Sequence, residues 1–305
     1  MSIVPHTQNS VIHNVEKTKT RKWKASAIFV GVTKYTLILV LSASFLLPMF
    51  WMASSALKTP EQVFKIPPVW LPNPARWINY LEAWQVSNFT LYLFNTIFRY
   101  CLPVVIGTII SNTLVAYSFA RLRWPGRDIV FWICLITLMI PSQVTMVPMF
   151  IVFKNLGWIN SYKPLVVPAF FANAYWIFML RQFFRTIPEE LSDSGRIDGA
   201  NELQILWYII LPLVKPALAV VGLFTFMGAW NDYMGPLIYI NHSELYPISM
   251  GLASFSSTLN QVGIKGLAYP YLMAVSTMVT IPIIVIFFFT QRTFIEGITF
   301  TGMKG

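Results

Sequence analysis

The stretch 186–202 holds five of the chain's twelve acidic residues, Glu189, Glu190, Asp193, Asp198 and Glu202, beside the small residues Ser194, Gly195 and Gly199 and a cation, Arg196. Ser194 and Gly195 present little bulk, so another protein can approach that face closely. Glu190, Asp193, Arg196 and Asp198 supply charges able to pair with it. Thr186 with Glu189 three positions on suits a capping box, with Pro188 and the acids in a first helical turn. Gly199 would end this helix after about ten residues, and Asn201 would cap the next one. Two readings of the loop stand on helix chemistry alone: a solvated helix joining two apolar segments, or a docking element.

A second group with chemical potential is Trp230, Asn231, Asp232 and Tyr233. Aromatic faces beside hydrogen-bonding groups suit sugar rings and hydroxyls; the same residues suit a hydrogen bond between helices. Asn112, Ser142, Gln143 and Asn173 are polar residues of the same kind within apolar surroundings. Cys101 and Cys134 lie in apolar runs, and His6, His13 and His242 are far apart, which argues against a disulfide framework or a Cys/His metal site. The chain lacks G-x-x-x-x-G-K-[ST], H-E-x-x-H and G-x-S-x-G, so nothing in it points to ATP phosphates, a metalloprotease or a serine hydrolase.

The elements that must position these groups are apolar. The 305 residues are 56% hydrophobic and 11% charged, with a mean hydropathy of +0.60. That composition is far from a water-soluble chain, in which about 25% of residues are charged. A bilayer core of about 30 Å needs about 20 apolar residues per helix. Six runs qualify, at 35–53, 101–120, 129–153, 165–184, 217–240 and 271–290. The third carries Pro141 and Pro148 and the sixth Pro282, which spans tolerate and often use as kinks. If the start of the chain is cytoplasmic, fifteen of the 22 basic residues fall on the inner side and seven on the outer. The positive-inside rule then predicts both termini in the cytoplasm. The net charge of +10 thus reflects orientation and lipid contact, and nucleic acid is dropped as a partner. Residues 1–34 read as a basic cytoplasmic tail, 35–290 as the membrane domain and 291–305 as a second cytoplasmic tail. The first run exceeds the 7–15 residues of a signal-peptide core and is expected to remain as an anchor. Segment 58–83, with Pro60, Pro67, Pro68, Pro72 and Pro74, is expected to lie across the outer surface without a long helix.

Glu189-Glu190-Leu191-Ser192-Asp193-Ser194-Gly195-Arg196-Ile197-Asp198-Gly199-Ala200, followed by Leu211-Pro212-Leu213 and Pro216, resembles the EAA loop of binding-protein-dependent ABC importer permeases. Asn95, the run from Ala116 to Arg127, Trp230 to Tyr233 with Pro236-Leu237, Gln291-Arg292 to Gly297 and the final Gly302-Met303-Lys304-Gly305 extend the likeness over most of the chain. They are similar to the carbohydrate-uptake branch, on the side of the maltose transporter's second permease. Where that family has Glu-Ala-Ala, this chain has Asp193-Ser194-Gly195. Asp shortens the charged side chain by one methylene. Gly is about 0.8–1.0 kcal/mol less favourable than Ala in a helix interior, so this helix should lean more on its partner.

The resemblance implies an all-α, six-span permease fold of the type I importers, in a bacterial inner membrane. It implies that Glu190, Asp193, Ser194, Gly195, Arg196, Asp198 and Gly199 dock in a groove of an ATP-binding subunit. It also implies a sibling permease, two ATP-binding subunits that hold ATP and Mg, and an external substrate-binding protein, with no cofactor in this chain. The importer would take up a sugar or related polyol. ATP-driven closure of the ATPases would swing spans three to six through the loop. Trp230, Asn231, Asp232, Tyr233, Asn112, Gln143 and Asn173 are the candidates for the pathway. The outer segment 241–270 would present Ser256, Ser257, Asn260 and Gln261 to the binding protein from a Gly- and Ser-containing loop. The alternative is a channel or secondary transporter driven by an ion gradient, which usually buries several ionisable groups in its spans; here only Asp232 lies well inside one.

Overall fold

A computed structural model describes the backbone of residues 8–302 apart from 262, 264, 265 and 267, and side chains between 29 and 291. Every regular element among them is helical. Five helices are long and apolar enough to cross a bilayer: Phe29–Ala56, Phe89–Arg121, Lys163–Thr186, Glu202–Asn231 and Ala268–Gln291. A sixth crossing is the pair Arg127–Met139 and Ser142–Asn155, bent by 99° between its halves.

The first crossing is part of α1 (Gln8–Ala56). The expected boundary at residue 34 is therefore not a break in structure. No Gly or Pro interrupts residues 8–30, and lysines and arginines are good helix formers, so the basic segment extends the helix. In the same way α15 (Ala268–Gly302) runs through the expected start of the C-terminal tail at 291. Residues 1–7 and 303–305 lie outside the described residues.

Segment 58–83 contains only the short α2 (Pro60–Val63) and the start of α3 (Ile78–Val86), as its prolines require. Lys58 anchors it: the side chain is almost wholly buried, 3.6 Å over the Trp51 ring and 3.1 Å from Ser55 Oγ. Burial lowers its pKa from the ordinary lysine value.

The second crossing consists of α4 (Phe89–Phe94), a π-turn (Asn95–Cys101) and α5 (Leu102–Arg121). The fifth is built alike, from α11 (Glu202–Gln204), a π-turn (Ile205–Ile210) and α12 (Leu211–Asn231). In both, a proline, Pro103 or Pro212, follows the π-turn by two residues. A proline lacks the N–H for its own helical bond and its ring pushes on the carbonyl four residues back, which the wider turn relieves.

Two crossings are broken where the sequence predicts continuous ones. The third divides into α6 (Arg127–Ile136), a 3-10 turn (Thr137–Met139) and α7 (Ser142–Asn155), because Pro141 sits extended at the break. The fourth divides into α8 (Lys163–Val166), a 3-10 turn (Val167–Phe171) and α9 (Ala174–Thr186). Ala172, between the parts, has φ 62°, a left-handed backbone unusual for any residue with a Cβ. The fifth ends at Asn231, short of the expected 240, and the chain turns at Asp232 before α13 (Met234–Tyr239).

Segment 241–270 was expected as a loop, yet it forms α14 (Ile248–Gln261). Ile248, Leu252, Phe255 and Leu259 recur at helical spacing; Ile248, Phe255 and Leu259 are buried and Leu252 packs against them.

The buried side chains gather at the two ends of the bundle. One cluster, around Phe89, Tyr100, Trp230, Phe255 and Tyr271, joins α4, α12, α14 and α15. The other, around Tyr117, Leu180, Phe184, Ile205 and Val214, joins α5, α9 and α12 beneath residues 187–201. Between these clusters, long apolar side chains of α1, α6 and α7 are exposed, including Phe45, Trp132 and Val147. Such surface requires lipid or another apolar chain against it.

Candidate functional site

The loop 187–201 builds a helix, α10 (Glu190–Ile197), across the end of the second cluster. The capping box expected from Thr186 and Glu189 is absent. Thr186 is the last residue of α9 and its Oγ1 donates back to the Phe183 carbonyl, while α10 begins without a side-chain cap. The other end follows expectation. Gly199 has φ 83°, and Asn201 and Gln204 form a reciprocal capping box on α11.

The helix is two-faced. Ser192 and Gly195 are buried toward the bundle. Glu190, Ser194 and Ile197, at i, i+4 and i+7, point away from it, and Ile197 is 85% exposed. Gly195 therefore does not serve the open face, as its small size suggested. A Cβ there would stand 2.7 Å from Ile209 Cδ1 and 3.3 Å from Ile205 Cγ1. The missing methyl lets α10 lie close against this chain's own fifth crossing.

Asp193 and Arg196 are also engaged within the chain. Arg196 Nη1 donates to Asp193 Oδ1 at 2.7 Å, and its Nε donates to Glu202 Oε1 at 2.9 Å. The bond to Glu202, ahead of that to Asp193, raises the Arg196 pKa above the ordinary guanidinium value. The second Glu202 oxygen accepts from Tyr117 Oη at 2.7 Å. One turn further along α5, buried Arg121 donates through Nη2 to the carbonyls of Phe184 and Ile187, the end and cap of α9. A cleft of about 620 Å³ lies between the exit of α5 and α10, lined by Arg121, Arg123, Glu189, Asp193, Arg196 and Glu202. Asp198 is exposed at the C-cap. Tyr117 and Arg121 lie in the run that carries the family resemblance, but the sequence reading gave them no place in the site. Their signal was available, since a tyrosine and an arginine four apart within a span share one face.

The polar residues of the crossings form two separate groups. Asn112 is buried on α5; its Nδ2 donates to the Thr108 carbonyl at 2.7 Å and its Oδ1 accepts from Asn173 N–H at 2.7 Å. Asn173 in turn caps α9 through Tyr175 N–H at 2.9 Å, so the pair holds the break in the fourth crossing. Asp232 forms the second group. Its Oδ1 accepts from Gly235 N–H at 3.0 Å, Oδ2 accepts from Tyr100 Oη, and its carbonyl accepts from Ser249 Oγ at 2.7 Å.

Trp230 is 2% exposed and stacked on Phe226, so in this conformation it fills the core and lines no opening. Asn231 and Tyr233 are exposed, and Asn231 Nδ2 donates to the Met227 carbonyl. Gln143 is exposed on α7 and accepts a 3.4 Å bond from Ser142. Ser256, Ser257, Asn260 and Gln261 lie on the exposed side of α14, presented by a helix rather than a loop tip.

Known proteins share this arrangement. The family described as "Binding-protein-dependent transport system inner membrane component" matches residues 104–299. The sn-glycerol-3-phosphate transport system permease protein UgpE of Yersinia enterocolitica is 32% identical over 259 residues, 83% of this chain and 90% of its own length. The arabinooligosaccharides transport system permease protein AraQ of Halalkalibacterium halodurans is 34% identical over 66% of this chain and 70% of its own. The diacetylchitobiose uptake system permease protein NgcG of Streptomyces coelicolor is 26% identical over 85% and 84% respectively. A crystal structure of a bacterial ABC transporter that imports the acidic polysaccharide alginate contains a chain that superposes with a TM-score of 0.79. The match covers 88% of this chain and 97% of that one at 26% identity. A system of this kind works with an ATPase and a substrate-binding partner, which sets aside a stand-alone carrier driven by an ion gradient. The chain belongs to the binding-protein-dependent transport system inner membrane components, the multi-pass permease subunits of ABC importers.

Proposed function

We propose that this permease is one half of the pore of an importer for a sugar or related polyol, and that α10 is the element through which ATP hydrolysis drives it. The single observation that carries the coupling role is the division of α10 into two faces. Ser192 and Gly195 seal it to the bundle, while Ile197 stands open beside Glu190 and Ser194. An exposed isoleucine among charges, on a helix already packed on its reverse side, calls for a partner with an apolar groove rimmed by complementary charge.

In this reading two ATP-binding subunits hold the ATP and Mg, a sibling permease covers part of the exposed apolar surface, and a substrate-binding protein delivers cargo at the opposite end. Residues 187–201 and both termini face the cytoplasm of a bacterial inner membrane, as the bias of Lys and Arg supports. Closure of the ATPases moves α10, and the bonds of Arg196, Glu202, Tyr117 and Arg121 carry that movement into α5 and α9. Uptake of a sugar or polyol is supported by the relatives, whose names give a glycerol phosphate and two kinds of oligosaccharide as cargo.

Reconstitution with sibling, ATPases and binding protein tests both parts. Glu190→Arg and Asp193→Arg should leave the complex assembled and abolish substrate-stimulated ATP hydrolysis. Normal stimulation in both variants would overturn the coupling role. Stimulation by amino acids, peptides or metals, with no response to any sugar or polyol, would overturn the cargo.

A further inference from the structure

Beside the coupling cleft lies a second cavity of about 550 Å³, where the ends of α5, α6 and α9 meet. Its walls include Arg123, Arg127, Arg181 and Arg185, faced by two carboxylates, Asp128 and Glu189. Asp128 is already shared: Arg127 Nε lies 3.1 Å and Arg181 Nη2 3.7 Å from its Oδ1. Arg181 is further held by the Phe119 carbonyl at 3.2 Å and lies 4.0 Å over the Phe131 ring. Arg123 and Arg185 are exposed and, among the described residues, neither side chain donates a hydrogen bond or forms an ion pair. Two forked guanidinium groups without a hydrogen-bonded partner thus open onto a cavity of ligand size, in which four arginines outnumber the two carboxylates.

The rim of the cavity states what kind of anion fits. Trp132 lines it, and on α6 Trp132 belongs to a stripe with Ile129, Ile133 and Ile136. These four residues, at i, i+3, i+4 and i+7, are each more than half exposed and lead away from the arginines into the apolar belt. A ligand that uses both features has a phosphate at one end and hydrocarbon at the other. We propose that this cavity binds the phosphate headgroup of an anionic phospholipid, with an acyl chain along the α6 stripe. The site depends on neither the cargo nor the coupling role assigned above.

The test uses the purified full-length chain in detergent. Phosphatidylglycerol and phosphatidylcholine with the same acyl chains are offered in competition, and retained lipid is read by native mass spectrometry. Phosphatidylglycerol should be preferred by about thirtyfold, since two basic groups near a lipid surface contribute about 1 kcal/mol each. Arg123→Gln with Arg185→Gln should bring the preference to near parity. Neither side chain supports the fold, and an unchanged melting temperature checks this. Lys154→Gln with Lys163→Gln removes the same charge at the opposite end and should leave the preference intact.

Equal retention of the two lipids by the unaltered chain, or an undiminished preference in the arginine variant, would overturn the site. Binding of inorganic phosphate with the same arginine dependence and no lipid preference would reassign it to a free anion. Loss of ATPase co-purification in the arginine variant, with lipid preference retained, would make it a protein contact.

Discussion

Tyr117 on α5 donates its phenolic hydrogen bond to Glu202 at 2.7 Å, across 85 positions of sequence. The other Glu202 oxygen holds Arg196 of α10, so a single carboxylate ties the surface helix to the second crossing. Tyr117→Phe removes only this link. The bond is part-buried and its acceptor is charged, so its loss should cost about 1.5 kcal/mol, the low end for such bonds, and the melting temperature in detergent should fall accordingly. Substrate-stimulated ATP hydrolysis should fall further than basal hydrolysis. Equal loss of both would mean that the bond supports the fold and carries no coupling.

Gly195 is set by close approach rather than by backbone conformation. In Gly195→Ala the new methyl would push on the free end of Ile209, at a cost of about 0.5–1.5 kcal/mol for an off-rotamer side chain. Helix propensity returns about 0.8–1.0 kcal/mol. Stability should change by less than about 1 kcal/mol between these opposing effects. Gly195→Val adds bulk against Ile205 as well and should cost about 1–3 kcal/mol. Thermal melts of the two variants separate the cases, and a large loss in the alanine variant would show that α10 cannot move off Ile209.

Asn112 holds the broken fourth crossing by accepting the Asn173 N–H. Asn112→Leu leaves that donor unpaired in an apolar setting, at a cost of about 1–3 kcal/mol. Asn112→Asp retains the acceptor and should recover part of the loss. The check is the melting temperature of the purified chain. If the leucine variant melts like the parent, the break at Ala172 does not need this bond.

The setting of Asp232 predicts a structural rather than a cargo-binding role for its carboxylate. Asp232→Asn keeps one oxygen for Gly235 N–H and should leave cargo-stimulated ATP hydrolysis within about twofold, a change of less than 0.5 kcal/mol. Gly235→Ala should be worse than Asp232→Asn, because its methyl would collide with the Asp232 carboxylate and stand 2.9 Å from Leu165 Cδ2. Loss of cargo affinity in Asp232→Asn without loss of stability would return this residue to the pathway.

Much of this protein was legible along the chain because the bilayer imposes a length and a polarity that any sequence must meet. Apolar runs of about 20 residues marked the crossings, and the acids, Gly199 and Asn201 marked the surface helix and its exit. Neither hydropathy nor prolines revealed where crossings break. Pro141 breaks one helix, whereas Pro48, Pro148, Pro216 and Pro282 lie inside unbroken ones. A proline's effect depends on whether neighbours can hold the freed carbonyls, which is a matter of packing.

The site divides in the same way. Residue types alone picked out Asp193, Arg196 and Gly195 as a charged, small-residue face, and their order along the helix was enough to set their spacing. Only the tertiary structure decided which way that face turned. It put Gly195 against Ile209, closed Arg196 onto Asp193 and Glu202, sank Trp230 into the core and left Ile197 outermost. Periodicity tells which residues share a side of a helix; what lies against that side is chosen by contacts between crossings far apart in sequence.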